Sequence, residues 1–151
     1  TDCMLQNGAV KVYSVDVGTD QMDKTLRSNP KITLYEQTHF NQLTPSMFND
    51  EINFVVADLS FISLTKLIDK LVTLFAHHYK LILLIKPQFE LSKEEIDHNK
   101  GKVKEAKLHK KAKNKIKNYA QLKGFKNIKI SQSPITGNKG KNVEFLLYME
   151  Q

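Results

Sequence analysis

Residues 52–90 read INFVVADLSFISLTKLIDKLVTLFAHHYKLILLIKPQFE, and the spacing of their apolar side chains changes twice along that stretch. Ile52 to Ala57 is a short apolar run that stops at Asp58, the pattern of a buried strand. Beyond it, Leu64, Leu67, Ile68, Leu71, Val72, Leu74 and Phe75 recur at three and four positions, which predicts a helix with one wide apolar face. Leu81 to Ile85 is again unbroken and apolar, and it ends at Lys86-Pro87 because proline brings no N–H to a ladder. Strand, helix and strand in succession predict an α/β fold.

The flanking sequence continues the alternation. Cys3 to Gln6 resembles the tail of a helix, closed by Asn7-Gly8 as a left-handed cap would close it. Lys11 to Val17 reads as a strand ending in Asp16-Val17-Gly18, followed by a short helix capped at Thr19 or Asp20 and running to Arg27. Lys31 to Gln37 returns to the sheet. Residues 91–103 are polar and read as a loop. Lys104 to Lys123 forms a helix with a narrow stripe of Leu108, Ala112, Ile116 and Tyr119, ended by Gly124. Lys126 to Ile130 and Val143 to Met149 read as the last strands, joined through a Ser/Pro/Thr/Gly-rich stretch. The whole predicts a mostly parallel sheet covered on both faces, whose ligands lie outside the carboxyl ends of the strands. Asp16, Asp58 and Lys86 stand at those ends. An acid closing an early strand can accept from ribose hydroxyls, and it can equally serve an ordinary turn.

Composition narrows the classes. With 151 residues and 40% hydrophobic side chains, the chain is long and apolar enough for one domain with a real core. The longest apolar run falls far short of the roughly 20 residues of a spanning helix, so no stable membrane insertion is expected. One cysteine, Cys3, forms no internal disulfide and points to a reducing, cytoplasmic setting. No His, Cys or Asp spacing suits a metal.

Charge is divided unevenly. Residues 1–92 carry eight basic and ten acidic side chains, whereas residues 93–151 carry fifteen lysines against six acids, a net of +9. A basic patch on an otherwise neutral domain points to a polyanion, nucleic acid first, since each phosphate contact releases counterions. Lys100, Lys102, Lys104, Lys107, Lys110 and Lys111 are its candidate RNA-binding residues.

Five blocks carry a more specific likeness. They are Asp16-Val17-Gly18, Asp58-Leu59-Ser60-Phe61-Ile62-Ser63, Ile85-Lys86-Pro87-Gln88-Phe89-Glu90, Ser133-Pro134-Ile135-Thr136-Gly137 and Asn142-Val143-Glu144-Phe145-Leu146-Leu147. In this order they resemble the methyltransferase domain of the TlyA hemolysin family, which is similar to FtsJ-type ribose 2′-O-methyltransferases. The resemblance implies a Rossmann-like class I methyltransferase sheet with helices on both faces, S-adenosyl-L-methionine as cofactor and ribosomal RNA or a ribosomal subunit as partner. It also implies a Lys-Asp-Lys-Glu catalytic set. Asp58, Lys86 and Glu144 match its last three members, with Lys86 holding or deprotonating the ribose 2′-hydroxyl, Asp58 orienting it and Glu144 positioning lysine or hydroxyl. Asp16 and Val17 fall at the cofactor ribose, Thr38 and His39 at the adenine, and Asp58 close to the cofactor.

The family's first lysine, its Gly-rich loop, the central strand before that loop and a small S4-like domain are expected upstream of Thr1. By this reading residues 1–151 form a partial domain, with little or no activity alone and with strand edges through which it could associate with another chain. Two other functions compete. One is a non-catalytic RNA-binding module resting on the basic helix; the other is a membrane-active hemolysin, for which that helix has too thin an apolar stripe to open pores. A nicotinamide oxidoreductase lacks its glycine fingerprint here.

Overall fold

The computed structural model describes residues 1–97, 102–136 and 142–151, and these divide into two compact units, Thr1–Glu51 and Ile52–Gln151. The first holds helix α1 (Asp2–Gln6), strand β1 (Val12–Val15), helix α2 (Lys24–Arg27) and strand β2 (Ile32–Tyr35). Gly8 takes φ +93° after α1, a conformation that a side chain would strain. Strands β1 and β2 pair in parallel from Val12 opposite Ile32 to Val15 opposite Tyr35. The cap of α2 is Asp23 rather than Thr19 or Asp20: its carboxylate accepts from the Thr25 N–H at 2.8 Å. Asp20 turns the chain instead, at φ 56°, and donates its N–H to Glu36. Arg27 forks onto Glu36 at 2.8 and 2.7 Å, and that guanidinium holds the Glu36 carboxyl below the usual glutamate range. Val12, Phe40 and Leu43 are the buried apolar residues of this unit.

The second unit holds strand β3 (Phe54–Ala57), helix α3 (Leu64–Leu74), strand β4 (Lys80–Ile85), the short helices α4 (Pro87–Glu90) and α5 (Lys93–Asp97), helix α6 (Ala106–Leu122), and strands β5 (Lys126–Gln132) and β6 (Phe145–Glu150). Its sheet runs β3-β4-β6-β5. Strands β3 and β4 are parallel, but β6 enters antiparallel to both β4 and β5, so the sheet is mixed rather than mostly parallel. The Ser/Pro/Gly-rich stretch between β5 and β6 has no helical pattern to act as a crossover, and strands without one pair antiparallel. Proline at the end of β4 does more than stop the strand. It starts α4, where its missing N–H is no loss. Residues 91–103 also depart from a plain loop, since α5 lies among them.

One face of this sheet is dry. Leu81, Leu83, Ile85, Leu147 and Met149 are fully buried, and the β4–β6 register sets Leu83 opposite Leu147 and Leu81 opposite Met149. Helix α3 contributes Leu64, Leu67, Ile68, Leu71 and Leu74 to the core, and α6 contributes Ala112, Ile116 and Ala120. Small alanines on α6 allow a lysine-rich helix to approach closely. Tyr119 of α6 donates to Asp69 of α3 at 2.7 Å, and Lys123 pairs with the same carboxylate. A ring nitrogen of each of His77 and His78 meets a backbone carbonyl, that of Ile52 at 2.9 Å and that of Gln151 at 2.7 Å.

Tyr79 is 2% exposed between Phe75 and Phe125, and burial pushes its hydroxyl up to about 12. Among the described residues that hydroxyl has no hydrogen-bond partner. Tyr79→Phe should therefore raise stability by about 1 kcal/mol, because an unpaired buried hydroxyl costs roughly 1–3 kcal/mol. Ile116→Ala, at 0% exposure, should cost about 2–5 kcal/mol. Urea unfolding with unchanged m-values is the check on both.

Candidate active site

Strand register brings three of the expected residues to one place. Ile85 lies opposite Phe145, so Lys86, the next residue of one chain direction, and Glu144, the preceding residue of the other, meet at the same sheet end. Parallel pairing of Ala57 with Leu83 carries Asp58 to that end as well. Strand alternation puts all three on the side opposite the buried row of Leu81, Leu83 and Ile85. Lys86 Nζ lies 2.6 Å from Asp58 Oδ1 and donates to Ser60 Oγ at 2.9 Å. The lysine side chain is only 12% exposed, while Asp58 is open at 67%.

Glu144 differs from its expected setting. It stands one residue before β6 rather than inside the strand, and its carbonyl accepts from the Ser133 N–H at 2.9 Å. It is 7% exposed and makes no direct ion pair with Lys86, whose partner is Asp58. Burial pushes its carboxyl above the usual glutamate range; the Lys86 charge opposes that rise and Asp58 adds to it. The arrangement is one ammonium between two acids, one wet and one dry.

Ser60, Phe61 and Phe89, quoted in the sequence blocks without a role of their own, join this site. Phe61 is 87% exposed at φ +66°, a conformation that a bulky residue adopts only under constraint. Its ring sits 5.1 Å from that of Phe89, which follows Lys86 in α4. In the sequence Phe61 looks like any core aromatic, because a positive φ leaves no compositional trace.

The residues matched to the cofactor lie in the first unit. Asp16 follows β1, and its Oδ1 accepts from the Gly18 N–H at 2.7 Å. A Cβ at Gly18 would come within 3.1 Å of that oxygen, so glycine permits the turn. The Thr38 N–H donates to the Asp16 carbonyl at 3.0 Å, which joins the ends of β1 and β2, and Val17 is 67% exposed beside them. An oriented carboxylate at a strand end suits a pair of ribose hydroxyls. His39 is occupied otherwise: its Nδ1 accepts from the Asn41 N–H at 3.2 Å in a capping box with Gln42, and its ring lies 4.4 Å from that of Phe40.

Of the basic residues, Lys102, Lys104, Lys107 and Lys110 are exposed, Lys111 is exposed and paired with Glu95 at 2.6 Å, and Lys100 lies outside the described residues. Others on α6 hold structure, Lys113 over the ring of Phe145 and Lys115 against Glu90.

The FtsJ-like methyltransferase family matches residues 1–151. The chain belongs to that family. It is 38% identical over 150 residues to YqxC of Bacillus subtilis, an rRNA methyltransferase candidate, covering 99% of this chain and 53% of that protein. It is 34% identical over 149 residues to the 16S/23S rRNA (cytidine-2′-O)-methyltransferase TlyA of Mycobacterium tuberculosis, covering 99% and 55%. A solved structure described as a candidate hemolysin, from Streptococcus thermophilus, superposes with a TM-score of 0.92 at 37% identity, over 99% of this chain and 54% of that one. The chain spans about half the length of the curated relatives it matches.

The buried acid gives a pH test. An acid whose folded pKa is raised binds its proton more tightly when folded, so its contribution to stability is present below the unfolded value and is lost as pH rises through the folded one. The unfolding midpoint of Glu144→Gln should therefore gain on that of wild type as pH rises from 4 to 7, measured by thermal melts in matched buffers.

Proposed function

We propose that the protein is an S-adenosyl-L-methionine-dependent ribose 2′-O-methyltransferase acting on ribosomal RNA in the cytoplasm. The observation that carries this reading is the half-buried Lys86, held by Asp58 and Ser60 at the carboxyl end of the sheet. When bound, the cofactor supplies an activated methyl group. Asp16 would hold its ribose, with Thr38 and Val17 alongside. His39 can approach the adenine only from its capping position.

Two of the three N–H groups of the Lys86 ammonium are taken by Asp58 and Ser60, which leaves one for the oxygen of a ribose 2′-hydroxyl. That bond fixes the oxygen, and the open carboxylate of Asp58 can receive the proton the hydroxyl loses. Methyl transfer is an in-line displacement, so much of the rate comes from holding the oxygen in line. Glu144, dry and near the lysine, adds a negative potential that keeps the ammonium in place. Phe61 and Phe89 offer an exposed aromatic surface beside Lys86 for the base of the target nucleotide, and the exposed lysines from Lys102 to Lys111 engage the RNA backbone.

The test is methyl incorporation from labelled S-adenosyl-L-methionine into ribosomal subunits by the full-length protein, with 2′-O-methylation read as resistance of the next phosphodiester to alkali. Lys86→Ala should lower turnover by about 10²–10⁴-fold while calorimetric cofactor binding persists. Asp16→Ala should lose cofactor binding instead. Phe61→Ala should weaken RNA binding by about 1–3 kcal/mol with no loss of stability. Labelled product that alkali still cleaves would overturn the ribose assignment. Retention by RNA without any methyl transfer would favour the binding-module reading of the basic helix.

A further inference from the structure

Lys86 and the Asp58–Ser60 loop meet through an ion pair whose acid is open to water at 67%, and water screening weakens such a pair. The same two segments are joined a second time in the interior. Glu90 is the last residue of the turn that Lys86 begins, and its side chain is 1% exposed. One carboxylate oxygen accepts from Ser63 Oγ at 2.6 Å and the other from the Leu64 N–H at 2.8 Å. Ser63 is the N-cap of α3, three residues after Ser60. Lys115 of the basic helix completes the arrangement, 3.1 Å from Glu90 Oε2 and donating to the Glu90 carbonyl at 2.8 Å.

We infer that Glu90 is a positioning residue for the reaction: its buried carboxylate sets the separation of Lys86 from Asp58 and Ser60 and ties that pair to the basic helix. The inference rests on the methyltransferase reading above. Charge-assisted bonds to a helix N-terminus are short and directional, and here three donors converge on one dry acid. A helix cap alone would need only the Ser63 and Leu64 contacts. The added lysine comes from α6, so the helix that carries the exposed lysines is fastened to the turn that carries Lys86.

The experiment uses the full-length protein and the variants Glu90→Gln, Ser63→Ala and Tyr119→Phe. Tyr119→Phe removes a tie between α3 and α6 that does not touch the Lys86 turn, so it reports the effect of lost stability alone. Glu90→Gln should lower kcat at least tenfold with KM for RNA and cofactor within twofold of wild type, and Ser63→Ala should do the same more weakly. Tyr119→Phe should leave kcat within twofold. The Lys86 ¹³Cε resonance, assigned by its loss in Lys86→Met, should shift or broaden in Glu90→Gln and stay put in Tyr119→Phe. If Glu90→Gln does not fold, Ser63→Ala decides by the same two readouts. A kcat loss that merely follows the drop in Tm across all variants, or a Lys86 resonance unmoved by Glu90→Gln, would overturn the inference. A wild-type protein inactive on RNA would overturn the methyltransferase reading, and the resonance would still decide whether Glu90 sets the lysine's place.

Discussion

The register between β4 and β6 is the constraint on which the second unit depends. Setting Ile85 opposite Phe145 buries one face of both strands and in the same step carries Lys86 and Glu144 to a common end. A slip of one residue would turn Leu81, Leu83 and Ile85 to the other side and separate the two polar residues, so packing and site geometry are specified together. The dry face enforces the register because every residue that β4 and β6 place in it is an aliphatic side chain, methionine or phenylalanine, which a slip would expose.

Around that sheet end the charges fall into two classes. Asp58 and Lys86 are partly open to water and keep hydrogen-bonding capacity, whereas Glu90 is saturated by Ser63, Leu64 and Lys115. Glu144 lies between these extremes, dry but close to a lysine charge. The proposed reaction, which holds a polar oxygen in line, needs both kinds: free groups to take the ligand and satisfied ones to keep those groups still. The exposed, left-handed Phe61 belongs with the free class, as a ring kept out of the core by the loop that carries Asp58 and Ser60.

The basic helix also has two roles on its two sides. Its lysines were legible as an electrostatic surface from composition alone, yet Lys113, Lys115 and Lys123 are held by Phe145, Glu90 and Asp69. Counting charges overstated what is available to a polyanion, because long lysine stems cover apolar surface and pair with acids wherever the fold provides them.

Sequence by itself determined the alternation of strands and helices, the apolar face of α3, the three polar residues at strand ends and the family, since each rests on local period or on short ordered blocks. The Asp23 cap of α2 is a local bond to Thr25 that hydrophobic period does not reveal, whereas the antiparallel entry of β6 was decided by the tertiary structure, where strands distant in sequence take up its backbone groups. The same holds for the site. The sequence names Asp58, Lys86 and Glu144, but which acid pairs with the lysine is settled by distance and burial, and Glu90 acquires its role only when α3 and α6 close over it. Those are properties of space between segments, which a linear pattern does not encode.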